Sequence, residues 1–231
     1  VRADAMPYYL PTIAALDAMS AVVALAVAYV AYKYNRLLSG SVPAFLGLSF
    51  SLLGLGLLLQ GLLAALLFAH PGLEYARLFM VSSYLYLLLQ IAAYLVLAVG
   101  YTGITYSGSV GAGLTSLAPA LAWMDARGGT PLVLVPITIR RAFLVDPTFF
   151  DAVQLISIIL LALIIFDAVQ LRSRASFSGL VLGAFMLMLM GHATMLAYPM
   201  GFLNYYLVGN VLRFLGFALL LIFLLRGRHV A

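Results

Sequence analysis

The stretch LFMVSSYLYLLLQIAAYLVLAVGYTGITYSGSVGAGLTSLAPALAWM, residues 78–124, decides the fold. It holds no Asp, Glu, Lys or Arg. It is also too long for one crossing of a bilayer, whose hydrocarbon core takes about 20 apolar residues of helix. Gly103, Gly108, Gly111 and Gly113, mixed with Ser and Thr, place a turn in its middle. The run therefore divides into a helix near 77–102 and a shorter one near 110–124.

Working outward, comparable apolar runs cover 10–34, 42–69, 148–171, 176–198 and 201–225. With the divided run they make seven spans. Composition agrees, with 65% hydrophobic and 8% charged residues in a chain of 231. A soluble domain carries about 25% charged residues, since it needs a solvated shell. Seven acids and twelve bases cannot coat a globule of this size, so lipid has to be its solvent. The formal charge of +5 then concerns the membrane faces rather than nucleic acid, which is not expected as a partner.

Charge also arbitrates the count. Lys33 and Arg36 follow the first span, Arg172 and Arg174 the fifth, and Arg226 and Arg228 the seventh. They share one face only if residues 78–124 cross twice. That face then carries six bases against Asp167, while acids and bases balance on the other. This is the positive-inside pattern. The expected fold is all-α: a polytopic bundle of seven transmembrane helices in the plasma membrane, N-terminus outside and C-terminus cytoplasmic. Residues 1–9 show no basic n-region or cleavage site, so the first helix is expected to be a retained targeting segment.

The chain reads as a single transmembrane domain. A faint 3+1+3 repeat relates spans one to three with five to seven. Each unit has an acid followed by Ala (Asp17-Ala18, Asp151-Ala152), a basic end, then a Ser/Gly start to the next helix (Ser41 and Gly47; Ser176, Ser178 and Gly179). Residues 125–147 form the one substantial loop, expected outside the membrane, with a β-prone centre at 131–139.

Polar residues inside a span are costly and so point to function or to a clamp. Here they are Asp17, Gln60, Gln90, His192, Asn210 and Arg213. First and last helices are often neighbours in such bundles, so an Asp17–Arg213 ion pair is expected, either pinning two helices or bordering an outward-facing polar pocket. His192 is a candidate for haem b ligation or proton transfer, with His70 as the partner a bis-histidine haem would need. The bland alternative is a hydrogen-bonded core histidine. Met188 and Met195 share its face, where gap-filling competes with a thioether ligand role.

Gly47, Gly54 and Gly61 repeat every seven residues, and Gly179 and Gly183 sit four apart. Such small-residue stripes let helix backbones approach, within one chain or between subunits. Tyr8, Tyr9, Tyr198, Tyr205 and Tyr206 fit an interfacial belt.

There is no cysteine, which removes disulfides, thiolate metal sites and thiol catalysis. Nucleophile elbows, phosphate-binding loops and zinc or calcium motifs are absent from the sequence. No metal site or catalytic set is expected, and an enzyme is disfavoured. Asn210-Val-Leu-Arg213-Phe214-Leu-Gly216-Phe217 looks like the retinal-binding helix of microbial rhodopsins, but the chain's lysine is Lys33, on the first helix, so no Schiff base can form there. Val99-Gly100-Tyr101-Thr102-Gly103 resembles the seven-helix sensor regions of some membrane histidine kinases, although no kinase follows. Three functions fit, in this order. The first is a non-catalytic subunit that anchors or completes a larger membrane complex, a respiratory or electron-transfer one among the candidates, with other membrane subunits as partners. The second is a stand-alone sensor with an outer polar pocket. The third is a transporter of a small solute or ion.

Overall fold

A computed structural model describes residues 6–38, 41–70, 72–105, 147–174, 179–196 and 203–227. Six helices occupy them: α1 (Met6–Leu38), α2 (Ser41–Ala69), α3 (Leu73–Thr105), α4 (Pro147–Arg174), α5 (Gly179–Met195) and α6 (Leu203–Gly227). All but α5 are long and apolar enough to cross a membrane. At 17 residues, α5 spans about 25 Å, near the lower limit for crossing. No strand occurs among the described residues. The expected helix near 110–124 and the loop at 125–147, except for the first residue of α4, lie outside them.

Helices α1, α3 and α4 overrun the apolar stretches that foretold them at both ends, because a helix keeps its backbone hydrogen-bonded beyond the hydrocarbon edge, whereas α5 falls inside its stretch. Pro11 sits in the second turn of α1, where its missing N–H removes one backbone hydrogen bond, to the Pro7 carbonyl. Between α2 and α3 the turn is short: the His70 N–H still bonds to the Leu66 carbonyl, and Ala76 N–H to that of Gly72.

Each helix packs on its neighbour in sequence, and α6 packs on α1, so the described helices close into a ring. Side-chain pairs give their directions. Gly61 meets α1 at Asp17–Ala18 and Gly47 meets it at Ala28–Tyr32, so α1 and α2 are antiparallel. Gly56 against Tyr86 and Gly100 against Phe45 do the same for α2 and α3, and Gly191 against Gly209 with Gly183 against Leu219 for α5 and α6. Contacts between α3 and α4 climb together instead: Tyr84 with Phe149, Gln90 with Ser157, Thr102 with Asp167. These two helices are parallel. The Tyr34 hydroxyl donates to the Leu224 carbonyl at 2.9 Å, which brings the C-terminal ends of α1 and α6 together. Two three-helix units, α1–α3 and α4–α6, thus stand side by side, joined along α3/α4 and α6/α1.

The bundle is apolar outside and partly polar inside. Val22, Leu55, Leu62, Val81, Ile159 and Met190 are more than half exposed, the surface that acyl chains cover. Asp17, Gln60, Gln90, Gln154, His192 and Arg213 are buried. A water-soluble fold would show the reverse. Along the axis the interior is uneven. Toward the face bearing Lys33 it is filled by Phe50, Leu53, Leu97, Ile164, Phe185 and Phe217. Phe50 and Phe217 meet edge to face at 5.4 Å, as do Tyr101 and Phe185 at 5.6 Å. Most buried polar groups gather in the half toward Glu74, while Ser49 and the Thr102–Asp167 hydrogen bond of 2.7 Å lie in the other.

Candidate functional site

The spine of the polar layer is α3. Tyr86, Gln90 and Tyr94 recur every four residues, so they stack along the helix face turned inward. Each reaches a different helix of the second unit. The Tyr86 hydroxyl accepts from Arg213 Nη2 on α6, and the guanidinium carbon stands 5.6 Å from the centre of the Tyr86 ring. Gln90 Nε2 donates to Ser157 Oγ on α4 at 2.9 Å. The Tyr94 hydroxyl meets His192 Nε2 on α5 at 2.8 Å.

His192 is bonded at both ring nitrogens. Its Nδ1 lies 2.6 Å from Gln154 Oε1. With the Gln154 carbonyl as acceptor, Nδ1 carries the hydrogen and Nε2 accepts from Tyr94. Neither nitrogen is free for a haem iron unless one of these bonds breaks. His70 lies exposed at the end of α2, stacked on Tyr75 at 5.7 Å, whereas His192 is fully buried. No group of three or more His, Asp or Glu suited to a metal occurs among the described residues.

Arg213 is the cation of the layer. Besides Tyr86, its Nη1 makes a long 3.5 Å contact with Asn210 Oδ1 and lies 3.9 Å from Met195 Sδ. Asn210, one turn earlier, anchors itself by donating to the Tyr206 carbonyl at 3.1 Å. Asp17, on α1, stands within electrostatic range of Arg213, Tyr86 and Tyr206, with no hydrogen bond to Arg213. Four buried atoms here have no hydrogen-bond partner: Asp17 Oδ2, Gln60 Oε1, Gln90 Oε1 and Arg213 Nε. An unmatched polar atom in a dry interior costs about 1–3 kcal/mol, and an unmatched charge more.

The structure gathers Asp17, Gln60, Gln90, His192, Asn210 and Arg213 into one half of the interior. Gly47, Gly54 and Gly61 form a seam inside the chain: a methyl at Gly61 would lie 3.2 Å from the Ala18 nitrogen, and one at Gly54 2.7 Å from the Leu25 side chain. Gly183 faces Leu219 within the bundle, whereas Gly179 faces open space. Tyr86, Tyr94, Gln154 and Ser157 escaped sequence reasoning. The fourfold spacing of Tyr86, Gln90 and Tyr94 was the available signal, and belt tyrosines elsewhere masked it.

These features define a class, a multi-pass membrane helix bundle with a polar interior. Beyond the class, no protein-family model, curated protein or solved structure matches the chain.

Proposed function

We propose that the protein is a membrane carrier for a small polar solute, bound in the polar layer between its two three-helix units. One observation carries this reading: each unit supplies a buried charge, Asp17 from α1 and Arg213 from α6, and each charge keeps an unpartnered atom. Left so, two such groups cost stability and return nothing. A solute that completes both explains why they are there. Carriers built from parallel repeats hold substrate where the repeats meet, and this layer, though displaced from the midplane toward the Glu74 side, lies between the two three-helix units.

The helix directions support an orientation when combined with the charge pattern. Lys33 and Arg36, Arg172 and Arg174, and Arg226 lie toward the ends of α1, α4 and α6, which share one face. By the positive-inside pattern that face is cytoplasmic and the N-terminus is outside. The ends Thr105 and Pro147 lie on opposite faces because α3 and α4 are parallel, in keeping with a seventh crossing between them. The packed Phe50–Phe217 half then seals the cytoplasmic side, as alternating access requires of one state.

That packed half also favours a second reading, a receptor that binds its ligand in the polar layer from the outer side. The reading as an accessory subunit of a larger complex loses one support, since α1 already occupies the Gly47/Gly54/Gly61 stripe.

The carrier reading is tested by reconstituting the protein in liposomes and exposing them to a low-molecular-weight cell extract. Mass spectrometry should find at least one polar solute retained above the level of empty liposomes, and Asp17→Asn should abolish that retention. Retention no different from empty liposomes across the extract would refute it.

A further inference from the structure

We infer that the solute is a small zwitterion, with N–H groups on a cationic nitrogen that bind Asp17 and Gln60 and a carboxylate that binds the Nε edge of Arg213. This rests on the carrier reading and narrows it to a substrate class. The unpartnered atoms set the pattern. Asp17 Oδ2 and Gln60 Oε1 are acceptors that call for donors, while Arg213 Nε is a donor that calls for an acceptor. Gln60 precedes Gly61, which packs against Asp17 and Ala18, so the two buried acceptors come from the same level of the adjoining helices α1 and α2. On Arg213, Tyr86, Asn210 and Met195 engage the two Nη atoms and orient the guanidinium, leaving Nε to the ligand.

Charge then excludes the simpler ligands. A lone cation attracted to Asp17 is repelled by Arg213, and a lone anion the reverse, over a distance at which the low-dielectric interior magnifies both effects. A neutral polyol supplies hydrogen bonds but compensates neither charge. A zwitterion of the size of a small amino acid compensates both at once. Gln90 Oε1, held by the Gln90–Ser157 bond, offers a further acceptor on the α3/α4 side for a side-chain donor.

The test measures binding to the purified full chain in detergent, by calorimetry and thermal melting, with defined probes. Glycine, L-alanine, L-serine and L-glutamine are compared with propionate, propylamine, N,N,N-trimethylglycine and glycerol. Amino acids should bind and raise the melting temperature. The half-molecules and glycerol should not, and trimethylglycine, lacking N–H groups, should bind weakly. Asp17→Asn should weaken amino-acid binding about tenfold or more. Gln60→Met, which removes an unpartnered acceptor at nearly constant shape, should weaken it while leaving the ligand-free protein at least as stable. Propionate or glycerol binding as well as alanine would overturn the zwitterion assignment. So would silence from every amino acid in a protein that still accumulates some other solute from extract, with the carrier reading intact. Silence in both assays would overturn the two together.

Discussion

Among single residues, the polar groups of the interior divide into those with hydrogen-bond partners and those without. His192 is satisfied twice over, so its truncation should be purely costly. His192→Phe strands the Tyr94 hydroxyl and the Gln154 amide in the interior, and melting in detergent should show a loss of about 2–5 kcal/mol. An unchanged melting temperature would mean that these bonds do not hold α3, α4 and α5 together. Gln60 and Asp17 differ from His192, each keeping one buried oxygen, Oε1 and Oδ2, without a hydrogen-bond partner. Six of the polar residues were legible from sequence because Asp, Gln, His, Asn and Arg are rare in apolar helices. The tyrosines were not, since an inward Tyr86 and a lipid-boundary Tyr29 look alike until the helix faces are known. Nor could the sequence tell that Arg213 would reach Tyr86. Which helix stands opposite is a tertiary fact.

Among the elements, two glycine contacts set how closely helices approach. At the α5/α6 crossing a methyl on Gly191 would lie 2.7 Å from the Gly209 carbonyl oxygen, and one on Gly209 equally close to that of Gly191. Backbone cannot yield as a side chain tip can. Gly191→Ala should therefore part the two helices and cost about 1–3 kcal/mol in a thermal melt, and also weaken solute retention by moving Arg213. Gly179→Ala, facing open space, is the control and should be silent. Equal effects at the two positions would show that the crossing is not where the structure puts it. The stripe at Gly47, Gly54 and Gly61 was readable as a packing seam from its spacing alone. That its partner is α1 rather than another subunit was not, because the same stripe serves both.

For the whole molecule, the apolar runs foretold the helices to within a few residues, with α5 the shortest, and left ring order and pairing undetermined. Charge asymmetry implied that the ends of α1, α4 and α6 share a face, and the helix directions have the same consequence by an independent route. The sidedness is simple to examine, because the chain has no cysteine to remove first. In intact cells an impermeant thiol reagent should label Glu74→Cys and spare Lys33→Cys, and labelling of Lys33→Cys alone would invert the orientation.

The same chemistry reaches the central claim. Ser157 is fully buried in the polar layer, bonded to Gln90, where α3 and α4 of the two units meet. A carrier opens that layer to each side in turn, so a single Ser157→Cys should react slowly with the impermeant reagent in both right-side-out and inside-out vesicles. Reaction from neither side would mean a dry structural clamp, and reaction from the outer side alone would mean a receptor pocket; either result contradicts the carrier.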